Sequence, residues 1–97
     1  MMPSITLNLP YDLNEKQWKA VSRVFEEMDG WIAKSENDNI PQWYGTDSSP
    51  MYVWASVEPG GLLINGNLND AHWTGWISVL CARLSLALQI EVHDAEM

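Results

Sequence analysis

Between Met51 and Leu68 the chain alternates, turns and alternates again, and this constrains the fold more than any other feature. Met51, Val53, Ala55 and Val57 share one parity, and Tyr52, Trp54 and Ser56 share the other. Successive side chains of a strand point to opposite faces, so this is a strand with one apolar and one mixed face. Glu58-Pro59-Gly60-Gly61 follows. Proline presets φ at the second turn position and glycine allows positive φ at the third, which predicts a type II turn. Leu62, Ile64, Gly66 and Leu68 then form one face of a returning strand, with Leu63, Asn65 and Asn67 on the other. So short a connection requires antiparallel pairing.

A helix is expected directly after this hairpin. Asn69 is a good N-cap, and Asp70 sits in the first turn, where the helix dipole favours negative charge. Trp73, Trp76, Ile77, Leu80, Leu84 and Leu88 recur at three and four, one face of an amphipathic helix. Gly75 weakens that helix. Ile90 and Val92 alternate with Glu91 and His93, which predicts a short closing strand. At the other end, Ile5, Leu7 and Leu9 predict a first strand that Pro10 stops. Asn14 and Gln17 fit the two ends of a capping box. Trp18, Val21, Val24, Phe25 and Met28 make the buried stripe of the helix that follows, and Gly30 is expected to end it.

From Trp31 to Pro50 the periodicity dissolves, apart from Ile40 to Tyr44, which fits a short edge strand. A long irregular segment in a small domain is more often functional than not. The order strand, helix, strand, strand, helix, strand predicts an α+β fold, a ferredoxin-like βαββαβ sandwich. Right-handed crossovers would place both helices on one face of a four-stranded antiparallel sheet, with an irregular insertion at 31–50. Residues 1–97 read as a single domain.

Thirteen acidic against five basic residues give a formal charge of −8. Nucleic acid and anionic membranes both require a basic patch, so neither is expected as a partner; the charge suits a basic protein, the competing reading being acidity for solubility alone. Cys81 is the only cysteine, which rules out an intrachain disulfide and a cysteine metal cluster, and its place beside the helical stripe predicts a buried structural thiol. The opening MMPSITLNLP lacks the basic and apolar regions of a secretory leader, and no apolar run is long enough to span a membrane. A cytoplasmic location is the expectation.

Residues that could carry catalysis are sparse. His72 and His93 are the only imidazoles, and both are expected at the surface. His93 and Asp94, as strand neighbours, face opposite ways and do not make a dyad. There is no HExxH, phosphate-cradling glycine loop or GxSxG. Glu26-Glu27 falls on the wet side of a helix. No catalytic, cofactor-binding or metal-binding residue is expected, and the chain is not read as an enzyme.

The aromatic residues are more telling. Of six tryptophans, Trp18, Trp73 and Trp76 fall on helical stripes, but Trp31, Trp43 and Trp54 do not, nor do Tyr44 and Tyr52. These five lie in or beside the irregular segment and the open sheet face, among Asp29, Glu36, Asp38 and Asp47. Tryptophan and tyrosine dominate binding hot spots, and neighbouring carboxylates would pair with a partner's arginine or lysine. These nine residues form the expected partner-binding set. The competing reading is that the aromatics fold back over the open sheet face.

Small size, acidity, the opening LPYDLNEKQW and the acidic-aromatic run EEMDGWIAKSENDNIPQWY together resemble the immunity proteins of bacterial toxin systems, including contact-dependent growth inhibition. The resemblance implies a monomer or weak homodimer that binds a cognate toxin, often a basic nuclease, and occludes its active site or substrate groove. Two other readings stay open. One is a homodimeric ligand-binding or regulatory domain of ferredoxin-like type, paired through Tyr52, Trp54 and Leu63. The other is a small dimeric enzyme using His72 or His93.

Overall fold

A computed structural model describes residues 3–10, 12–34, 40–45 and 49–95. The elements, in chain order, are β1 (Ser4–Leu7), α1 (Glu15–Glu27), β2 (Trp31–Lys34), β3 (Pro41–Trp43), β4 (Tyr52–Glu58), β5 (Gly61–Asn67) and α2 (Asp70–Leu88). The fold is α+β, with an antiparallel sheet in the order β1-β5-β4-β3-β2. Helix α1 thus carries the chain from one edge of the sheet to the other, and the strands return as a meander.

The hairpin has the expected register, with Val53 opposite Gly66, Ala55 opposite Ile64 and Val57 opposite Leu62. Its turn differs from the expected type II. The positive φ falls on Gly61, at 137°, and not on Gly60. A turn with the type II signature occurs elsewhere. The Trp31 N–H donates to the Met28 carbonyl at 3.3 Å, and Gly30 takes φ 85° at the third position. Gly30 therefore shapes the entry to β2; α1 has already ended at Glu27, with Met28 capping it in an extended conformation.

Two parts of the expected βαββαβ order are replaced. The segment at 31–50 is not irregular throughout: it supplies β2 and β3, which join β1, β4 and β5 in a sheet of five strands. Strand β3 is not an edge, because it lies between β4 and β2. The closing strand at Ile90–Val92 does not form. Asp94 bridges to Leu7, flanked by backbone bonds from the Asn8 N–H to the His93 carbonyl at 3.0 Å and from the Ala95 N–H to the Thr6 carbonyl at 2.8 Å, and the Asn8 side chain ties down the residues before Asp94. The Asn8 side chain donates to the Glu91 carbonyl at 2.9 Å and accepts from the His93 N–H at 2.8 Å. Side-chain bonding of this kind takes up backbone groups that a longer ladder would pair.

Both helices cover one face of the sheet. Leu7, Leu62, Ile64, Val53, Ala55 and Trp43 meet Val21, Val24 and Phe25 of α1 and Trp76, Ile77, Leu80, Leu84 and Leu88 of α2 in one core. Helix α1 opens with the expected capping box. The Gln17 N–H donates to Asn14 Oδ1 at 2.8 Å, and the Asn14 N–H donates to Gln17 Oε1 at 3.0 Å. At α2 the Asn69 Oδ1 accepts from the His72 N–H at 2.8 Å. Among the described residues no polar or charged side chain is buried, so every described acid lies where a partner can reach it.

Trp43 holds the core together. It is fully buried, and its indole Nε1–H donates to the Phe25 carbonyl at 2.9 Å. Its ring packs edge-on against Phe25, Trp31 and Trp76, with centroids 5.3, 5.6 and 4.9 Å away. Such edge contacts add to what area burial alone supplies. The expectation that Trp43 faces a partner is therefore overturned: an indole this large, in a chain this short, is taken up by the core.

Candidate functional site: a cleft at the end of α1 and the start of α2

Directly after β3 the chain makes a three-residue turn. The Gly45 N–H donates to the Trp43 carbonyl at 2.8 Å, and Tyr44 between them stands at φ 69°. A tyrosine in that region is strained, by about 1–3 kcal/mol, and such strain tends to mark functional sites. The Tyr44 N–H is anchored to the Gly30 carbonyl at 2.7 Å. The Tyr44 ring lies so close to Gly30 that a Cβ there would sit 2.6 Å from ring carbons. Any larger residue at position 30 displaces Tyr44.

The strained turn aims Tyr44 at a constellation from three parts of the chain. Its hydroxyl donates to Asp29 Oδ2 at 2.7 Å and lies 2.9 Å from His72 Nε2. Phenol has one proton, already given to Asp29, so the second contact is made with His72 Nε2–H as donor. The imidazole also packs edge-on to the phenol ring at 5.0 Å. Asp29 is fixed at its backbone too, where its carbonyl accepts from Trp76 Nε1–H at 3.0 Å. Burial, and then the hydrogen bond and charge of Asp29, push the Tyr44 hydroxyl well above its ordinary value of 10.0.

That shift has a stability consequence. The folded protein holds the Tyr44 proton at pH values where the unfolded chain has lost it. Tyr44 therefore favours the fold at all pH values below about 10, and its contribution falls as pH rises beyond that. Tyr44→Phe is expected to cost about 1 kcal/mol at neutral pH and to flatten the alkaline decline, as read from urea midpoints between neutral and alkaline pH. An alkaline decline unchanged by the substitution would contradict the assignment.

Beside this group lies a cleft of about 530 Å³, lined by Met28, Asp29, Tyr44, His72, Gly75 and Trp76 with Val79 further along α2. Glu27 and Arg83 also line it and face each other at 3.7 Å. Both are well exposed, so their attraction contributes little in water. Gly75 is the unusual member. A glycine within a helix costs about 1 kcal/mol relative to alanine. Here a Cβ would meet no atom of the described residues within 4 Å, so nothing in the described fold requires glycine at this position.

Of the nine residues expected to bind a partner, this cleft brings together two, Asp29 and Tyr44. Trp31 is half-buried behind them, against Trp43. Tyr52 is 6% exposed and so is withdrawn from solvent, contrary to expectation. It and Trp54 are on the sheet face away from the helices, because their neighbour Val53 points into the core. Glu36, Asp38 and Asp47 lie outside the described residues. His72, expected at the surface, is half-buried and hydrogen-bonded. His72 and Gly75 were missed as site residues; only the glycine left a signal in the sequence, as an unexplained breaker inside a strong helix. Cys81 is half-buried rather than fully buried, and burial, with the Asp94 charge adding to it, raises its thiol.

Among the described residues no group of three histidine, cysteine or carboxylate side chains is placed to hold a metal ion, and no helix is long and apolar enough to cross a membrane. No family model, curated protein or solved structure matches this chain.

Proposed function

We propose that this protein is a binding module of the immunity type, which neutralises a basic bacterial toxin domain by covering its active site or substrate groove. The observation that carries this reading is the cleft formed by Asp29, Tyr44, His72 and Gly75 on a chain of charge −8. It joins an aromatic side chain held by strain, a carboxylate open to solvent and an apolar wall. These are the ingredients of an interface hot spot flanked by steering charge. The protein acts by occlusion, without a catalytic step or a cofactor.

Co-expression with the product of the neighbouring gene tests the reading. A neighbour that is toxic alone, and that forms a stable pair with this protein while growth is restored, is the expected result. Absence of both toxicity and pairing would count against it. Within such a pair, reversing the charge of Asp29, Glu36 and Asp38 together is expected to slow association by about tenfold or more and to reduce its salt dependence. Unchanged association kinetics would remove the electrostatic part of the account.

A second reading is a homodimeric ligand-binding or regulatory domain. It rests on Trp54 and Leu63, which remain half-exposed on the sheet face that the helices leave open. Solution mass separates the two: the binding-module reading expects a monomer at micromolar concentration, and the second expects a dimer.

A further inference from the structure

We infer that the cleft receives one arginine side chain of the partner, and that Gly75 is glycine in order to leave room for it. The inference rests on the binding-module reading and identifies the chemistry its site would take. Three observations carry it. Gly75 lines the cleft, and its missing Cβ opens space that no described residue fills. The wall beside it is apolar, from Met28, Trp76 and Val79, and suits the methylene stem of a long cationic residue. Two carboxylates, of Glu27 and Asp29, line the same space.

Asp29 is already oriented. Its Oδ2 takes the Tyr44 hydroxyl, which leaves Oδ1 without a partner among the described residues. Among the described residues Glu27 is held only by the long, exposed contact to Arg83, which lines the same cleft and would give way to the incoming guanidinium. A guanidinium presents five donors in a planar fork, so one arginine can engage both acids, whereas an ammonium is a compact point charge. The Tyr44 strain and the His72 contact then serve binding by fixing Asp29 before the partner arrives, which lowers the ordering cost of association.

Two measurements on the full chain test this. In the first, N-acetyl-arginine methyl ester, the corresponding lysine ester and the uncharged citrulline ester are titrated while NMR follows the Gly75 amide and the Trp76 indole. The arginine probe is expected to move both signals in a saturable way, with the lysine probe weaker and the citrulline probe silent. Equal responses to the three, or shifts confined to other parts of the chain, overturn the inference. In the second, Gly75→Ala and Gly75→Leu are compared with the unaltered protein. Gly75→Ala is expected to raise Tm by a few degrees, because alanine is the better helix former, and yet to bind less well. Gly75→Leu is expected to abolish the arginine-probe response and to weaken a basic partner by about tenfold or more. A response to the probe in Gly75→Leu equal to that of the unaltered protein overturns the inference.

The two proposals can fail separately. Specific arginine binding without any toxic neighbour retains the cleft and removes the immunity reading. A stable toxin pair indifferent to Gly75→Leu retains the immunity reading and removes the cleft.

Discussion

Trp43→Ala is expected to remove about a third or more of this protein's stability and to lower its urea midpoint steeply. Truncating a buried tryptophan costs about 3–5 kcal/mol, and a domain of this size has about 5–15 kcal/mol in all. Trp43 belongs at the severe end. Its ring is 0% exposed, touches three other aromatic rings edge-on, and ties β3 to α1 through the Phe25 carbonyl. Urea unfolding and near-ultraviolet circular dichroism read the effect directly. Trp43→Phe is expected to fall between, since it keeps an aromatic ring but loses the Nε1–H donor. A midpoint for Trp43→Ala close to that of the unaltered protein would contradict the central role given to this indole. The result also governs how binding data are read: loss of partner binding in a position-43 variant reports damage to the fold, not loss of an interface contact.

Gly61→Ala is expected to be the most damaging of the glycine substitutions, at about 3 kcal/mol or more. Position 61 stands at φ 137°, where an L side chain is strained, and a Cβ there would run into the Leu7 carbonyl oxygen. That oxygen is backbone, so relief requires β1 to move off β5, at the register point where Leu7 faces Leu62 in the core. Gly60→Ala is the matched control. Its Cβ would meet nothing within 4 Å, and a change within about 0.5 kcal/mol is expected. Equal urea midpoints for the two variants would refute the assignment of the special backbone position to Gly61.

That pair of glycines marks where the sequence stops being readable. The hairpin, its register and its apolar parity are local properties, legible in Met51 to Leu68 because period-two alternation and a Pro-Gly turn leave few alternatives. The positive φ falls one residue later than the Pro-Gly pattern places it, at Gly61, and the nearness of the Leu7 carbonyl that bars a side chain there belongs to the pairing of β1 with β5, which nothing near Gly60 in the sequence encodes. The two N-caps and both helical stripes were legible for the same local reason. The strand at 41–43 was legible within Ile40 to Tyr44, though as an edge and not as an interior strand, and the strand at 31–34 was not legible. That segment is too short to show a period, and both take their places because β4 offers an edge on which β3, then β2, can pair. The absent closing strand is the converse case: Ile90 and Val92 have the alternation, but side chains take up backbone groups of that stretch, Asn8 at Glu91 and His93 and Ser85 at Val92.

The candidate site divides in the same way. Asp29 and Tyr44 were singled out from composition, as a carboxylate and an aromatic in a run rich in both. Their meeting with His72 was not visible, since the three are separated by 15 and 28 residues and share no motif. Trp43 and Tyr44 are adjacent in sequence and equally aromatic, yet one is core and the other lines a cleft.

By itself, then, the sequence determined the class of the fold, the central hairpin, the two capped helices and an acidic surface. All of these follow from side-chain period, turn chemistry and charge over a few neighbouring residues. Only the tertiary structure decided which aromatics are buried, where the backbone is strained, and that Asp29, Tyr44, His72 and Gly75 border one cleft. Those outcomes depend on which distant segments pack together, and that depends on close packing summed over the whole core rather than on any local pattern.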